Sequence, residues 1–373
     1  MKMNIKNVFK IFLIAICFFD TGELFSQSDT SLKLPELIPY RKGNKWGFCN
    51  KDKKIIIPAK YDFTMPFTEG LALVELNNKW GFVNKEGKEI TPIKYVNAEN
   101  FKDERAPVEL NDKMGYVDKE GKEVIPLKYD AAWSFCEGLA QVKINEIWGF
   151  VDKEGKEVIP LIYDGVGDFS EGLAYVYING MWGFVNKEGK EVIPLKYEWA
   201  WDFHEGLAGV EINGKHGFID REGKEIIPLK YDDIFDGRFG FHEGLAAVRL
   251  NNKCGFINKE GIEVITVKYK NAYSFKEGLA LVRLNEKWGY INKDEKVVVP
   301  LIYDKSFRFS EGLAAVSLNG KWGFVDKEGN EVIPVKYETG VDGVIEFREG
   351  LVLVKLNHKL GYIDKNGNEY WED

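Results

Sequence analysis

Two histidines, one acidic turn, three cysteines and a set of aromatics are the side chains here whose types could do chemistry. His204 and His242 each precede a Glu-Gly dipeptide, so stacking of their segments would offer two imidazoles to a metal ion. No fixed carboxylate pair accompanies them, and no metal site is expected. The turn Asp364-Lys365-Asn366-Gly367-Asn368 has the composition of an acidic calcium loop. Its glycine stands fourth rather than sixth and a bidentate glutamate at the twelfth place is missing, so turn chemistry accounts for it. Cys49, Cys136 and Cys254 form an odd set at unrelated offsets and read as small apolar fillers, neither a disulfide framework nor a zinc site. The aromatics Trp133, Trp201, Phe239, Tyr273 and Phe307 offer stacking instead: on sugar rings, or around the apolar groups of a partner.

Those aromatics gain meaning from a periodicity. Trp-Gly and its equivalents begin at Trp46, Trp80, Met114, Trp148, Trp182, His216, Cys254, Trp288, Trp322 and Leu360, a spacing of 34 residues with two steps of 38. These residues number copies one to ten below. The unit is clearest from Glu171 to Tyr197 and divides into three expected strands. In Leu173 to Ile178 one face is steadily apolar and the other varies. Asn179-Gly180 is a two-residue hairpin turn, Met181 to Asn186 is strand two, and Asn186 to Gly189 is a turn whose glycine takes positive φ. Strand three, Glu191 to Tyr197, contains Pro194, repeated as Pro126, Pro160, Pro228, Pro300 and Pro334, which places it at a sheet edge. A three-stranded meander of this size buries too little alone, so each copy must stack on its neighbours.

The fold expected is all-β: a tandem array of three-stranded antiparallel meanders, open and superhelical in preference to a closed propeller, because propellers usually have four to eight blades of four strands. Residues 1–27 read as a signal peptide, with Lys2, Lys6 and Lys10 before the apolar run Ile11 to Phe19. Cys17 falls inside that run and reads as part of it. Residues 28–45 read as an N-terminal cap and 46–373 as the array, with caps at both ends. The apolar run is far shorter than the roughly 20 residues a membrane-spanning helix needs, and no later segment comes closer. The segment Lys321 to Pro334, KWGFVDKEGNEVIP, closely resembles the WG, or KWG, repeat family of bacterial proteins. The resemblance implies β-rich repeats, often exported, with an interaction role and no defined activity.

Within the unit, the tryptophan position tolerates Met114, His216, Cys254 and Leu360, which suits packing better than indole recognition. The glycine after it recurs in all ten copies and is expected to make room for an aromatic ring. The phenylalanine two residues before each Glu-Gly, from Phe67 to Phe347, reads as core. The position two residues before that phenylalanine varies, and there lie Trp133, Trp201, Phe239, Tyr273 and Phe307 as the candidate binding surface. The four-residue insertions at 232–241 and 338–347 fall in the same connector. A net charge of −8 without a basic stripe excludes nucleic acid as the expected partner. No nucleophile elbow, HExxH, phosphate loop or dinucleotide fingerprint occurs, and the many Glu and Lys residues read as solvated turns, so neither an enzyme nor a cofactor is expected. The expected role is an exported protein-binding or scaffold module. A glycan or cell-wall binder using the connector aromatics stands second, and a structural envelope protein third.

Overall fold

The computed structural model describes residues 34–234, 240–338 and 345–373. The segment read as a signal peptide, Cys17 within it, and Phe239 lie outside the described residues. Among the described residues the regular structure is entirely β-strand, and no helix is long and apolar enough to cross a membrane.

Copy five shows how the residues build the unit. Leu173–Ile178 and Met181–Asn186 pair antiparallel, with Tyr177 opposite Trp182 and Ile178 opposite Met181. Asn179 and Gly180 between them have φ of 50° and 84°, the double left-handed geometry that matches the twist of a tight hairpin. At the second turn the Asn186 side chain accepts the Lys190 N–H at 2.9 Å while Gly189 takes a φ of 76°. Strand three then pairs through Val185–Glu191, Phe184–Ile193 and Trp182–Tyr197, slipping register at each step.

Gly183 explains the slip. A Cβ built there would lie 2.6 Å from the Ile193 carbonyl oxygen, so strand three crosses directly over the glycine. The repeated glycine makes room for backbone, and the expectation of an aromatic ring there is corrected. Only at Gly361 is the neighbour a ring, that of Trp371.

The expected three strands become four in most copies. The start of each connector, Gly165–Val166 in copy five or Trp199–His204 in copy six, is extended and bonds to the open side of strand one. Each complete sheet runs short strand, one, two, three, which leaves strand three at an edge as its proline requires.

Sheets stack face to face along the chain. Phe184 of copy five meets Phe203 of copy six at a ring-centroid distance of 4.9 Å, and the same pair recurs from Phe48–Phe67 to Phe324–Phe347. Around the Phe184 pair, Leu173, Ile193 and Tyr197 of one copy close on Ala200, Ala208, Val210 and Ile219 of the next. Each core is therefore shared between neighbours, as a unit too small to bury its own face demands.

The array is closed, which overturns the preference for an open superhelix. Trp371–Glu372 lies parallel to the first strand, Ile38–Lys42, pairing Arg41 with Trp371 and Lys42 with Glu372. The C-terminal residues thus take the place of the short strand in the first sheet. Tyr40, Trp46 and Phe48 share one core with Leu351, Tyr362 and Tyr370. Arg41, 4% exposed, donates to the Leu360 carbonyl at 2.7 Å and to Asp373 at 3.1 Å. The segments read as separate end caps are the two halves of one seam. The result is a β-propeller-like ring, the alternative arrangement, reached because the chain ends supply the missing strand and so leave no terminal sheet face open.

Candidate functional site

The connector aromatics do not form an exposed row. Trp133, Trp201, Tyr273 and Phe307 are each half-buried. Phe307 stacks on Trp322 at 5.2 Å, Tyr273 lies against Trp288 at 5.7 Å, and Trp201 sits between His216 at 5.4 Å and Trp199 at 6.3 Å. Phe307, Tyr273 and Trp201 thus each pack against the residue at the tryptophan position of their own copy. At Trp133 the backbone is held as well, its carbonyl accepting the Tyr116 hydroxyl at 2.7 Å. At the tryptophan position itself Trp46, Trp80, Met114, His216, Cys254 and Trp322 are buried, in keeping with packing.

The stacking of copies does bring His204 and His242 together, with ring centroids 5.1 Å apart. The Asp364 turn is occupied with itself: Asp364 Oδ1 accepts the N–H groups of Asn366 and Asn368, both at 2.9 Å. Cys49, Cys136 and Cys254 are buried and free, and burial pushes the Cys49 and Cys136 thiols up to about 12.

Residue patterns understated the glutamate of the Glu-Gly dipeptide. Glu171, Glu205, Glu243 and their equivalents sit at φ of about 50°, a left-handed conformation that costs a non-glycine residue on the order of 1 kcal/mol. The carboxylate then reaches the next copy. Glu137 accepts the Gly172 N–H at 3.1 Å, Glu205 that of Gly244 at 3.0 Å and Glu311 that of Gly350 at 2.8 Å. A lysine from the second turn of that next copy joins each, as Lys187 does with Glu137 at 3.0 Å and Lys259 with Glu205 at 3.1 Å. These charges, read as solvated turns, link neighbouring copies. The available signal was a repeated glutamate where turn propensity alone would favour Asn or Gly.

A second charged series marks the rim carrying the tight hairpins. Lys45, Lys113, Lys215 and Lys287 open strand two in their copies and bind Asp62, Asp130, Asp232 and Asp304 at 2.5 to 2.7 Å. The other carboxylate oxygen of each aspartate that faces a neighbouring hairpin accepts its first N–H, as Asp62 does from Asn77 at 2.6 Å. The lysine, then that N–H, holds these carboxyls below the ordinary aspartate value.

Copies four and five break the series. Ile147 and Met181 replace the lysine, and Tyr177 stands where other copies carry mostly charged residues. Trp199, 45% exposed, and Met181, 43% exposed, lie at the surface. Trp182 lies 4.7 Å from Trp199, 4.9 Å from Tyr177 and 5.2 Å from Tyr175. Copy five has Gly167 in place of a connector aromatic, and the Tyr175 ring fills that space. This cluster includes only Trp201 of the residues expected to bind. The others escaped notice because they depart from the repeat at several positions that converge only when copies five and six stack.

The family model described as a WG containing repeat matches nine successive segments between residues 46 and 359. No curated protein matches the chain in sequence. Among solved structures, one titled as a eukaryotic initiation factor superposes with a TM-score of 0.46 at 12% identity, covering 89% of this chain and 93% of that one. Hsv2p of Kluyveromyces lactis gives 0.36 at 10% identity over 61% and 92%. PorZ, titled a surface component of the type-IX secretion system of Porphyromonas gingivalis, gives 0.30 at 9% identity over 90% and 52%, so the chain spans about half of PorZ.

Proposed function

The chain belongs to the WG-repeat family, and from that premise we propose that it is an exported, non-enzymatic module whose hairpin rim binds a protein partner. One observation carries the reading. The positions that repeat are consumed between copies: the phenylalanine pairs, the glycine under strand three and the glutamate links. On the hairpin rim the lysine–aspartate pairs that join other copies are missing at copies four and five, where Ile147 and Met181 replace the lysine, so the rim side chains there are released from that duty. A ring of this construction lets rim side chains change the partner without touching the core. Export rests on the sequence pattern of residues 1–27.

The test is capture on the immobilised chain, residues 28–373, from an envelope fraction of the source cells, followed by cross-linking and mass spectrometry. A defined protein cross-linked to the hairpin rim is expected. Its capture should survive Val192→Lys and Val332→Lys on the strand-three edges, where both valines are exposed. Retention of no protein, or cross-links confined to the strand-three edges, would overturn the reading.

A further inference from the structure

Loss of the two rim lysines changes the charge at copies four to six as well as the polarity. Asp164 Oδ2 accepts the Asn179 N–H at 2.8 Å, as its equivalents do. The lysine that would hold its other oxygen is Ile147. Glu198 occupies the corresponding place one copy on, where Met181 stands for the lysine. Among the described residues neither carboxylate has an ion pair. Two lysines of copies four and five are engaged elsewhere: Lys143 with Glu146 at 3.1 Å and with the Trp148 ring, and Lys196 over the Tyr197 ring at 5.0 Å. Asp164 donates its own N–H to the Tyr177 carbonyl and accepts the Asn179 N–H on its carboxylate, and Glu198 immediately precedes Trp199, so an anionic residue adjoins the ring cluster from each of copies five and six.

We propose that this aromatic cluster, with Asp164 and Glu198 at its borders, receives an arginine side chain of the protein partner. The inference rests on the reading given under Proposed function and names the chemistry of the occupant. A cation over an indole face is attracted by the ring quadrupole, and here the two uncompensated carboxylates act in the same direction. Guanidinium also stacks flat on an aromatic ring while its N–H fork meets a carboxylate, which an ammonium does less well. An anion is repelled by the same groups. A neutral sugar would use the rings but leave the charge without a counterpart. In copies one, three, six and eight the rim lysine pairs with the equivalent carboxylate from within the chain, so a partner's arginine would take the place that Ile147 and Met181 vacate.

The test titrates tetra-arginine into residues 28–373 by calorimetry at low and physiological salt, with an uncharged Gly-Ser peptide and cellotetraose as comparison probes. Tetra-arginine is expected to bind and the other two are not. Trp199→Ala, which leaves the net charge unchanged and removes an exposed ring, should weaken binding at least tenfold with an unaltered melting temperature. The double variant Ile147→Lys, Met181→Lys restores the repeat's own ion pairs and should weaken it at least as much. Equal binding by Trp199→Ala would reveal a general attraction to an acidic chain and overturn the proposal. So would absence of tetra-arginine binding, or cellotetraose binding that Trp199→Ala abolishes. A captured partner indifferent to Trp199→Ala would overturn the arginine site and leave the protein-binding reading intact. Tetra-arginine binding without any captured protein would overturn the reading while supporting a cation site.

Discussion

Gly183, Gly217 and Gly323 each lie under a strand whose carbonyl oxygen would be 2.5 to 2.6 Å from an added Cβ. Backbone at that distance cannot swing aside as a flexible side chain can. Gly217→Ala should therefore lower stability by about 1 to 3 kcal/mol or more, the usual range for overpacking. Gly206→Ala meets nothing within 4 Å and carries only the strain of its φ of 87°, on the order of 1 kcal/mol. Urea unfolding of the two variants should rank them in that order, and equal midpoints would contradict the account of the repeated glycine. Residue roles were legible where the chain substitutes within itself. Met114, His216 and Cys254 mark the tryptophan position as packing from the sequence alone. The glutamate of each Glu-Gly was not legible, because its hydrogen-bond partner lies about one repeat further on and no local spacing points to it.

At the scale of the strand, proline is absent from strand three of copy seven, where Thr266 takes its place. The Glu295 carboxylate lies over this edge: the Thr266 hydroxyl donates to it at 3.3 Å, and Lys268 sits 2.6 Å away. Burial alone would raise the Glu295 carboxyl, but Lys268 and the Thr266 N–H hold it below its ordinary value. Glu295 occupies the turn position that is glycine in most copies, at a φ of 63°. The carboxylate therefore replaces proline as a guard against edge pairing. Glu295→Gly should promote concentration-dependent self-association, and adding Thr266→Pro should reverse it. Sedimentation velocity across a concentration series checks this, and a monomer at all concentrations would contradict it.

The rim pairs contribute to the acid limb of stability. Asp62, Asp130, Asp232 and Asp304 have folded pKa values below the unfolded value of 3.8. Their contribution is thus complete above that value and is lost as pH falls through it toward the lower folded values. A variant with all four changed to Asn should lose stability at neutral pH and show a flatter decline between about pH 4 and 2. Thermal melts over that range read it directly, and an unchanged slope would contradict the pairing. Strand periodicity and turn residues made three of the four strands legible. The fourth is mostly two residues long, too short to carry alternation, and forms only because strand one offers it an open edge.

For the whole molecule, ring closure was the feature least legible. It depends on the small rotation between neighbouring sheets, which no single copy encodes. It also depends on the last few residues, which lack the proline segment and read as a cap. Trp371, Glu372 and Asp373 complete the first sheet instead, with Lys42 and Glu372 paired at 3.2 Å across the seam. The most direct test places cysteines there, Lys42→Cys with Glu372→Cys, in residues 28–373. The strand register makes these two positions parallel neighbours, and parallel neighbours lie within the Cα separation a disulfide spans, roughly 4.4 to 6.8 Å. The native cysteines are buried. A closed ring predicts a rapid intramolecular disulfide at high dilution, seen as faster migration of the denatured, unreduced chain. Absence of that product, or cross-linking only between molecules, would show an open array and contradict the fold described here.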